Sequence, residues 1–437
     1  MITAKKIFKG GAAVPHRKNT ADMETVRMDV PEKVLIPMLQ HIGAPCEPLV
    51  KKGDTVKVGQ LIGSSDKFIS ALIHSSVSGT VMNVVPMLYP GGFYVTTVEI
   101  KTDGKQEIHE DVKPPVYSNN KELIEAIRQS GLVGLGGAGF PAHVKLSIPP
   151  GKKIDTLIVN GAECEPYITS DYREIQENSW NIMNGIYILM ELLGVSKVYI
   201  GIEDNKPAAI RELTHLAKTN EKIDVITLKS RYPQGAEKML VYSITGRKIP
   251  PGKLPLDVGV VVMNVNSVSF ISEYVKTGMP LIKRRVTVDG SAVKNPANVE
   301  VLIGTRLEDV FNFCGGFDRV VHKVLMGGPM MGIAQHSLNT SVVKHTNALL
   351  AFAREDVDID AESVCIRCSR CVKACPMNLM PLFINQNLIK GNVEELKRFH
   401  VNDCIECGSC SYVCPAKRHL VQSIRLAKAQ LRQASEK

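Results

Sequence analysis

Residues 365–376 read CIRCSRCVKACP, and residues 404–415 read CIECGSCSYVCP. Each stretch spaces four cysteines as C-x2-C-x2-C-x3-C and places a proline directly after the last one. Together the two stretches hold eight of the 11 cysteines in this chain of 437 residues. The N-terminus has no apolar segment typical of a secretion signal, so clustered cysteines indicate metal binding rather than disulfides.

The repeated spacing resembles that of bacterial ferredoxins with two 4Fe–4S clusters. There, three cysteines wrap around one cluster, and the fourth, before the proline, reaches the other cluster. This predicts that one cluster is bound by Cys365, Cys368, Cys371 and Cys414. It predicts that the second is bound by Cys375, Cys404, Cys407 and Cys410. Zinc knuckles are the alternative, because they also use C-x2-C pairs. Two intact copies with both prolines favour clusters that pass single electrons.

The composition indicates a globular protein of two to four domains, with 44% hydrophobic and 22% charged residues. No run of about 18 uncharged apolar residues occurs, so we expect no membrane span and a cytosolic chain. The net charge of +9 is scattered and aromatic residues make up only 5%, which argues against nucleic-acid binding. A positive surface would suit an anionic membrane face or an acidic protein partner.

The first hundred residues are predicted to form strands. Residues 50–63 (VKKGDTVKVGQLIG) and 71–85 (ALIHSSVSGTVMNVV) alternate apolar and polar positions between glycines. They resemble the sandwich of lipoyl and biotinyl carriers, and Lys67 resembles an attachment lysine. The spacing from Lys67 to Gly79 looks one residue too long for that role. We therefore predict a β barrel-sandwich over residues 1–110 that acts as a structural module.

Three further domains are predicted after this module. Apolar strands at 155–162, 197–204 and 224–228 alternate with helices, one of them over about 179–193, which indicates an open, Rossmann-like α/β domain over residues 120–280. An Asp-Gly turn, a strand and one helix in residues 284–316 predict a small β-grasp domain over 284–340. An acidic linker at 354–362 leads into the cysteine-rich α domain, residues 360–437, which ends in a polar helix from His419.

Two segments of the α/β domain could bind a nucleotide. Residues 134–141 (GLGGAGFP) form a glycine-rich loop, with Lys145 close behind, and such loops let backbone N–H groups approach a phosphate. The spacing differs from the Rossmann fingerprint, and a tight turn is the alternative. Residues 160–167 (NGAECEPY) follow an apolar strand, where ligand sites of α/β domains lie. An exposed polar loop is the alternative there.

Both segments, with YPQGAE at 232–237 and NVNS at 264–267, occur in the same order as the FMN- and NADH-binding segments of the flavoprotein subunit of respiratory complex I. HIGA at 41–44, GIEDNKP at 201–207, MGGPMMG at 326–332 and the cysteine stretches extend the similarity. Over nearly its whole length the chain resembles the C subunits of Rnf electron-transport complexes. In this resemblance the β-grasp domain corresponds to an SLBB domain.

The resemblance implies which residues hold the cofactor and the substrate. The non-covalent FMN would be bound by Gly134, Gly136, Gly137, Gly139, Lys145, Asn160, Glu163, Tyr232, Gly235, Asn264 and Ser267. NAD(H) would be contacted by Phe140, Glu165 and Glu237. The chain departs from the complex I pattern at Ala162 and Ala236, where acidic residues are usual, and near Ile148, where an aromatic residue is usual. No catalytic side chain beyond the flavin is expected.

The resemblance further implies a peripheral subunit on the cytoplasmic side of the cell membrane. It would pass electrons between NAD(H), FMN and the two clusters, as part of a ferredoxin:NAD+ oxidoreductase. Its partners would be an iron–sulfur subunit and membrane subunits that translocate Na+ or H+. The alternatives are a soluble flavin and iron–sulfur reductase, such as a cobalamin reductase, and an electron-wire scaffold that does not bind nucleotide.

Overall fold

The computed structural model describes residues 2–357 and 361–435. Residues 358–360 of the predicted acidic linker and the last two residues of the predicted C-terminal helix lie outside the described residues. The chain begins with a segment, residues 2–27, that we call the N-terminal strap. It contains two short strands, β1 (Ile2–Thr3) and β2 (Thr25–Arg27). Each strand joins a sheet of a different, later module.

The barrel-sandwich module follows the strap and consists of two small antiparallel sheets. Its strands are β3 (Lys33–Pro37), β4 (Glu47–Pro48), β5 (Thr55–Val56), β6 (Leu61–Ser64), β7 (Ile73–His74), β8 (Gly79–Leu88) and β9 (Tyr94–Thr102). One sheet has the order β3-β9-β8-β5 and the other β4-β6-β7. Alternate apolar side chains, such as Val34, Ile36 and Ile100, are fully buried between the sheets. Lys67 is exposed in the loop between β6 and β7.

The central module is an open α/β domain with a parallel five-stranded sheet of order β1-β12-β11-β10-β13. Its elements are α1 (Asn120–Gln129), α2 (Ala142–Leu146), β10 (Thr156–Gly161), α3 (Ser170–Leu193), β11 (Lys197–Glu203), α4 (Pro207–Ala217), β12 (Ile223–Leu228), α5 (Glu237–Thr245), β13 (Val260–Asn264) and α6 (Val265–Thr277). Helices cover the strands, which is why the strands are almost uniformly apolar. Helix α3 begins nine residues before the predicted start at Ser179 and kinks at Asn178.

A mixed six-stranded sheet forms the third module, in the order β17-β16-β18-β14-β15-β2. Its elements are β14 (Lys283–Asp289), β15 (Ala297–Leu302), α7 (Leu307–Phe313), β16 (Val321–Met326), β17 (Ile333–Gln335) and β18 (Ala348–Ala353). Strand β14 ends at the predicted Asp-Gly turn. The sheet continues to Ala353, beyond the predicted limit at residue 340, because β18 pairs with both β14 and β16.

The cysteine-rich module is helical. It contains α8 (Arg370–Ala374), α9 (Pro381–Ile389), α10 (Val393–Arg398), α11 (Ser409–Tyr412) and α12 (Leu420–Ser435). Ile384 of α9 and Ile424 of α12 belong to its small core, together with several cysteines. Three 3-10 helices complete the secondary structure of the described residues: Pro255–Val258, Arg354–Asp356 and Val401–Asp403.

Candidate functional site

The first cysteine cavity, which we call the outer cavity, lies at the surface of the helical module. Four cysteines line it: Cys365, Cys368, Cys371 and Cys414. This is the set predicted from the spacing for one cluster. Cys368 is exposed, and Cys365 and Cys414 are partly exposed. A cluster held here would therefore lie near solvent.

The second cavity, the inner cavity, is lined by the other predicted set: Cys375, Cys404, Cys407 and Cys410. Three of these thiols are buried, and Cys404 is partly exposed. Burial raises the pKa of the Cys404 thiol to about 11 and also raises the pKa of Cys375. The positive charge of iron would keep such thiols ionised, so this donor set fits a cluster.

The geometry of both cavities differs from that of a single-ion site. Among residues 2–357 and 361–435, no group of three or more His, Cys, Asp or Glu side chains is placed to hold one metal ion. A structural zinc site needs four ligands within about 2.3 Å of one ion. The four cysteines of each set instead line one cavity together. This arrangement favours clusters over zinc knuckles.

The glycine-rich loop presents a row of backbone amides. The Gly134 N–H donates to the Phe140 carbonyl at 2.8 Å, which closes the loop. Gly137 and Gly139 have φ values of +111° and +67°, in the region that favours glycine. Residues 136–138 are exposed, and their N–H groups donate no hydrogen bond within the described part of the chain. Successive free amides of this kind bind phosphate, so the loop fits the phosphate of FMN.

Two predicted flavin residues lie beneath this loop, at the start of α6. Ser267 is fully buried, and its Oγ accepts a hydrogen bond from the Leu135 N–H at 3.0 Å. Asn264 caps α6 by accepting from the Asn266 N–H at 2.9 Å. Its Nδ2 would lie 3.0 Å from a Cβ at Gly136, which explains the glycine there. Ser267 is thus placed to hold the loop in position, and Asn264 packs beside Gly136.

Lys145 and Glu237, which have separate predicted roles, form an ion pair. The Lys145 Nζ lies 2.5 Å from Glu237 Oε1 and also donates to the Val262 carbonyl at 3.1 Å. Both side chains are partly exposed, and Phe140 is partly exposed as well. Since the pair is open to solvent, either side chain can exchange its partner for a charged ligand.

Asn160 and Gly235 join two loops at the carboxyl end of the parallel sheet. Asn160 Nδ2 donates to the Gly235 carbonyl at 2.9 Å, and its Oδ1 accepts from the Ala162 N–H at 3.0 Å. A Cβ at Gly235 would lie only 2.3 Å from the Ala162 carbonyl oxygen. The glycine therefore permits the close approach of these loops.

Glu165 and Tyr232 connect this end of the sheet with residues 326–332. The Glu165 carboxylate accepts from the N–H groups of Met330 and Met331 at 3.0 and 2.9 Å, and the Tyr232 hydroxyl lies 3.5 Å away. Burial raises the pKa of Glu165 to about 7. Burial, followed by acidic neighbours that include Glu165 and Cys407, raises the pKa of Tyr232. Glu165 therefore joins this end of the sheet to residues 326–332.

The inner cavity contacts these loops directly. Gly408, which lines the cavity, is packed so closely that a Cβ there would lie 2.6 Å from the Met330 carbonyl oxygen. On another side, the Gly11 N–H donates to the Ala374 carbonyl at 2.8 Å. The structure thus places the inner cavity beside the predicted flavin and nucleotide residues.

Glu163 is enclosed by two lysines that the sequence analysis did not select. The Lys18 Nζ donates to the backbone carbonyls of Glu163 and Glu165, both at 2.8 Å. The Lys206 Nζ lies 3.4 Å from Glu163 Oε2, and Glu163 Oε1 accepts from the Asp171 N–H at 2.7 Å. Lys206 belongs to the GIEDNKP segment, and that segment could have identified it as a site residue. No motif near Lys18 in the sequence identifies Lys18.

His345 and Ile42 also reach the glycine-rich loop from other modules. A Cβ at Gly139 would lie 3.2 Å from His345 Nδ1, which has no hydrogen-bond partner among the described residues. The Ile42 N–H donates to the Gly139 carbonyl at 3.0 Å. The HIGA segment therefore connects the barrel-sandwich to the loop.

Comparison with known proteins identifies the family. The chain is 47% identical to the C subunit of the proton-translocating ferredoxin:NAD(+) oxidoreductase complex of Clostridium ljungdahlii, over 99% of this chain and 95% of that protein. It is 45% identical to the C subunit of the Na(+)-translocating ferredoxin:NAD(+) oxidoreductase complex of Acetobacterium woodii, over 97% of each chain. This chain belongs to the RnfC family. A third relative, the C subunit of the ion-translocating oxidoreductase complex of Rhodobacter capsulatus, is 39% identical over 95% of this chain and 81% of that protein.

Family models match successive parts of this RnfC chain. They are the RnfC barrel sandwich hybrid domain (6–105), the Nuo51 FMN-binding domain (127–273), the SLBB domain (285–334) and the 4Fe-4S dicluster domain (357–415). These matches confirm the predicted fold class, the FMN and the two clusters. The roles of individual residues and the exact domain limits remain predictions. Among the described residues, no helix is long and apolar enough to cross a membrane.

Proposed function

We propose that this chain is the NAD(H)-linked subunit of an ion-translocating ferredoxin:NAD+ oxidoreductase. The names of its relatives and its own FMN-binding and dicluster domains support this activity. FMN, when bound, takes a hydride from NADH and releases electrons one at a time. A flavin between a nucleotide site and two clusters is therefore the combination that this reaction needs.

The close packing of Gly408, which lines the inner cavity, against Met330, whose N–H donates to Glu165, is the observation that supports the electron path most strongly. In the proposed path, electrons pass between the flavin and the cluster at Cys375, Cys404, Cys407 and Cys410. They then pass to the cluster at Cys365, Cys368, Cys371 and Cys414. Because Cys368 is exposed, electrons leave or enter the chain there.

The proposed cofactor contacts follow from the geometry of the loops. The free amides of residues 136–138 and the amine of Lys145 bind the FMN phosphate. Ser267 holds the glycine-rich loop in the conformation that exposes these amides, and Asn264 packs beside Gly136. Phe140, Glu165 and Glu237 are proposed to contact NAD(H). At Glu165, a nucleotide would compete with the N–H groups of Met330 and Met331.

Other Rnf subunits are the proposed partners. An iron–sulfur subunit would exchange electrons at the outer cavity, and membrane subunits would translocate Na+ or H+. The chain would be held through them at the cytoplasmic side of the cell membrane. The family assignment favours this function over that of a cobalamin reductase.

An anaerobic NADH titration of the cluster-loaded, FMN-bound chain tests the proposal. We expect bleaching of the flavin absorbance, followed by the low-temperature EPR signals of reduced clusters. Clusters that dithionite reduces but NADH does not, with FMN bound, would reject the dehydrogenase activity. They would leave an electron-wire scaffold that does not use the nucleotide.

A further inference from the structure

Part of the N-terminal strap, residues 8–12, lies between the α/β domain and the inner cavity. The Gly11 N–H donates to the Ala374 carbonyl at 2.8 Å, directly before the inner-cavity residue Cys375. The next N–H group, from Ala12, donates to the Tyr232 carbonyl at 2.9 Å. Two consecutive amides of the strap therefore tie the cysteine-rich module to the flavin side of the α/β domain.

Arg231 fastens the strap at this position. Its guanidinium donates to the carbonyl of Phe8 at 3.1 Å and to the carbonyl of Gly10. The same group lies 5.1 Å from the centre of the Phe8 ring, and that ring is buried. A planar guanidinium makes both kinds of contact at once, which a lysine ammonium does less well.

Gly10 shows how closely the strap approaches the cluster loop. Its φ of +79° favours glycine, and a Cβ there would lie 2.6 Å from the Cys375 carbonyl oxygen and 2.8 Å from the Cys375 carbonyl carbon. Because these neighbours are backbone atoms, any side chain at residue 10 would have to displace the loop.

We propose that residues 8–12, fastened by Arg231, set the distance between the flavin and the inner cluster and so control the rate of electron transfer between them. These residues and Arg231 are positioning residues, since they do not line the inner cavity. The inference rests on the proposed function. In the full reaction, NADH and two oxidised clusters give NAD+, a proton and two singly reduced clusters.

Matched variants of the cluster-loaded, FMN-bound chain test this inference. Gly10→Ala pushes on the Cys375 loop, and Arg231→Ala releases the strap without touching that loop. Gly53→Ala is the control for Gly10→Ala, because Gly53 also has a positive φ (+94°) but has nothing within 4 Å of an added Cβ. Lys9→Ala, at an exposed residue of the strap, is the second control.

Electrons are best supplied to the flavin by light, with EDTA as the sacrificial donor, so that the test does not depend on NADH. Cluster reduction is then followed by absorbance and freeze-quench EPR. We expect the reduction of the inner cluster to be about tenfold slower in Gly10→Ala and in Arg231→Ala, because small displacements have large effects on electron-transfer rates. Arg231→Lys should fall between Arg231→Ala and the unchanged chain. Hydrogen exchange of residues 8–12 should be faster in Arg231→Ala, and both controls should match the unchanged chain.

The inference is overturned if hydrogen exchange of residues 8–12 rises in Arg231→Ala while the cluster is reduced at the original rate. It is also overturned if exchange there does not change, because Arg231 then does not hold the strap. Iron analysis shows whether Gly10→Ala retains both clusters. Where it does not, the inference is judged from the rate of cluster reduction in Arg231→Ala. A chain that responds to light but not to NADH would reject the proposed function and leave this inference standing.

Discussion

The two cysteine stretches have the same spacing but different surroundings. Ser369 and Gly408 occupy equivalent positions, each one residue after the second cysteine, and both have a positive φ, of +58° and +80°. The Ser369 side chain is exposed. At Gly408 a side chain would collide with the Met330 carbonyl.

This difference teaches that the cysteine motif predicts a cluster but not which of the two clusters lies nearer the proposed flavin site. That depends on what each loop touches. The inner loop touches Met330, whose N–H donates to the predicted nucleotide residue Glu165, whereas the outer loop leaves Cys368 exposed. Gly408, at the position equivalent to Ser369, is the sequence feature that corresponds to this contact.

Removing one ligand from each cavity gives the largest expected effect. Cys407→Ala should lose the inner cluster, and the outer cluster should then be reduced by NADH at least about 100-fold more slowly, because its connection to the flavin is broken. Cys368→Ala should lose the outer cluster, and NADH should still reduce the inner one. Iron content and EPR after rapid mixing measure both. Equal rates for the remaining cluster in the two variants would contradict the inner and outer assignment.

The free energy of unfolding should depend on pH through Glu165, a residue on the inner-cavity side of the molecule. Burial raises the pKa of Glu165 from 4.5 to about 7. Such a carboxyl favours the folded state while protonated, so its contribution is complete below about pH 4.5 and is lost as the pH rises to about 7. The loss amounts to at most about 3 kcal/mol. Thermal unfolding of the chain and of Glu165→Gln across this range should show the variant gaining relative stability as the pH rises.

Asp66→Asn is a suitable control for Glu165→Gln, because Asp66 is an exposed residue of the loop between β6 and β7. Its unfolding temperature should follow that of the unchanged chain at every pH. Parallel curves for the chain and Glu165→Gln would mean that the carboxyl of Glu165 has an ordinary pKa.

The proposed binding of the FMN phosphate by Lys145 can be tested directly. Lys145→Ala should weaken FMN binding by about 10- to 100-fold, the usual range for a charged hydrogen bond. Quenching of FMN fluorescence on titration of the FMN-free chain measures this. Glu237→Gln removes the ion-pair partner and keeps the amine, so it should bind FMN at least as tightly as the unchanged chain. Unaltered affinity in Lys145→Ala would exclude Lys145 from the phosphate site.

The smallest expected effect is that of Ser267→Ala. Its hydroxyl accepts a hydrogen bond from the Leu135 N–H in a fully buried position, so its loss should cost about 1 kcal/mol. FMN affinity should fall by a few-fold, because the loop is less well held, with no change in iron content. A loss of FMN binding as large as that of Lys145→Ala would indicate that Ser267 contacts the flavin directly.

The sequence alone predicted those parts of the molecule in which residues of one chemical type recur at short, regular spacing. The cysteine sets 365–371 with 414 and 404–410 with 375 line the two cavities, because three members of each set are fixed by one local loop. Likewise, alternation over residues 50–85 predicted the strands of the sandwich, since side chains on strands alternate between its faces. Helix α3 was predicted only in its second half, after the kink at Asn178.

What could not be predicted depends on contacts between residues far apart in the chain. Lys18 reaches the carbonyl of Glu163, and Gly11 reaches Ala374, without any local pattern that marks them. The strap was assigned to the sandwich because strands β1 and β2 are too short to show a period. Their pairing with β12 and β15 depends on edges that only the completed sheets provide.

The N-terminal strap has a consequence for the maturation of the protein. Contacts between residues this distant in sequence are slow to form, because a long loop must first be closed at a cost in entropy. Because metal binding and folding are commonly coupled, we expect the cysteine-rich module to become fully ordered only with its iron. We therefore expect residues 8–12 to dock after the clusters are inserted. Until then they would remain open to proteases, so that cleavage in this segment would report which chains still lack iron.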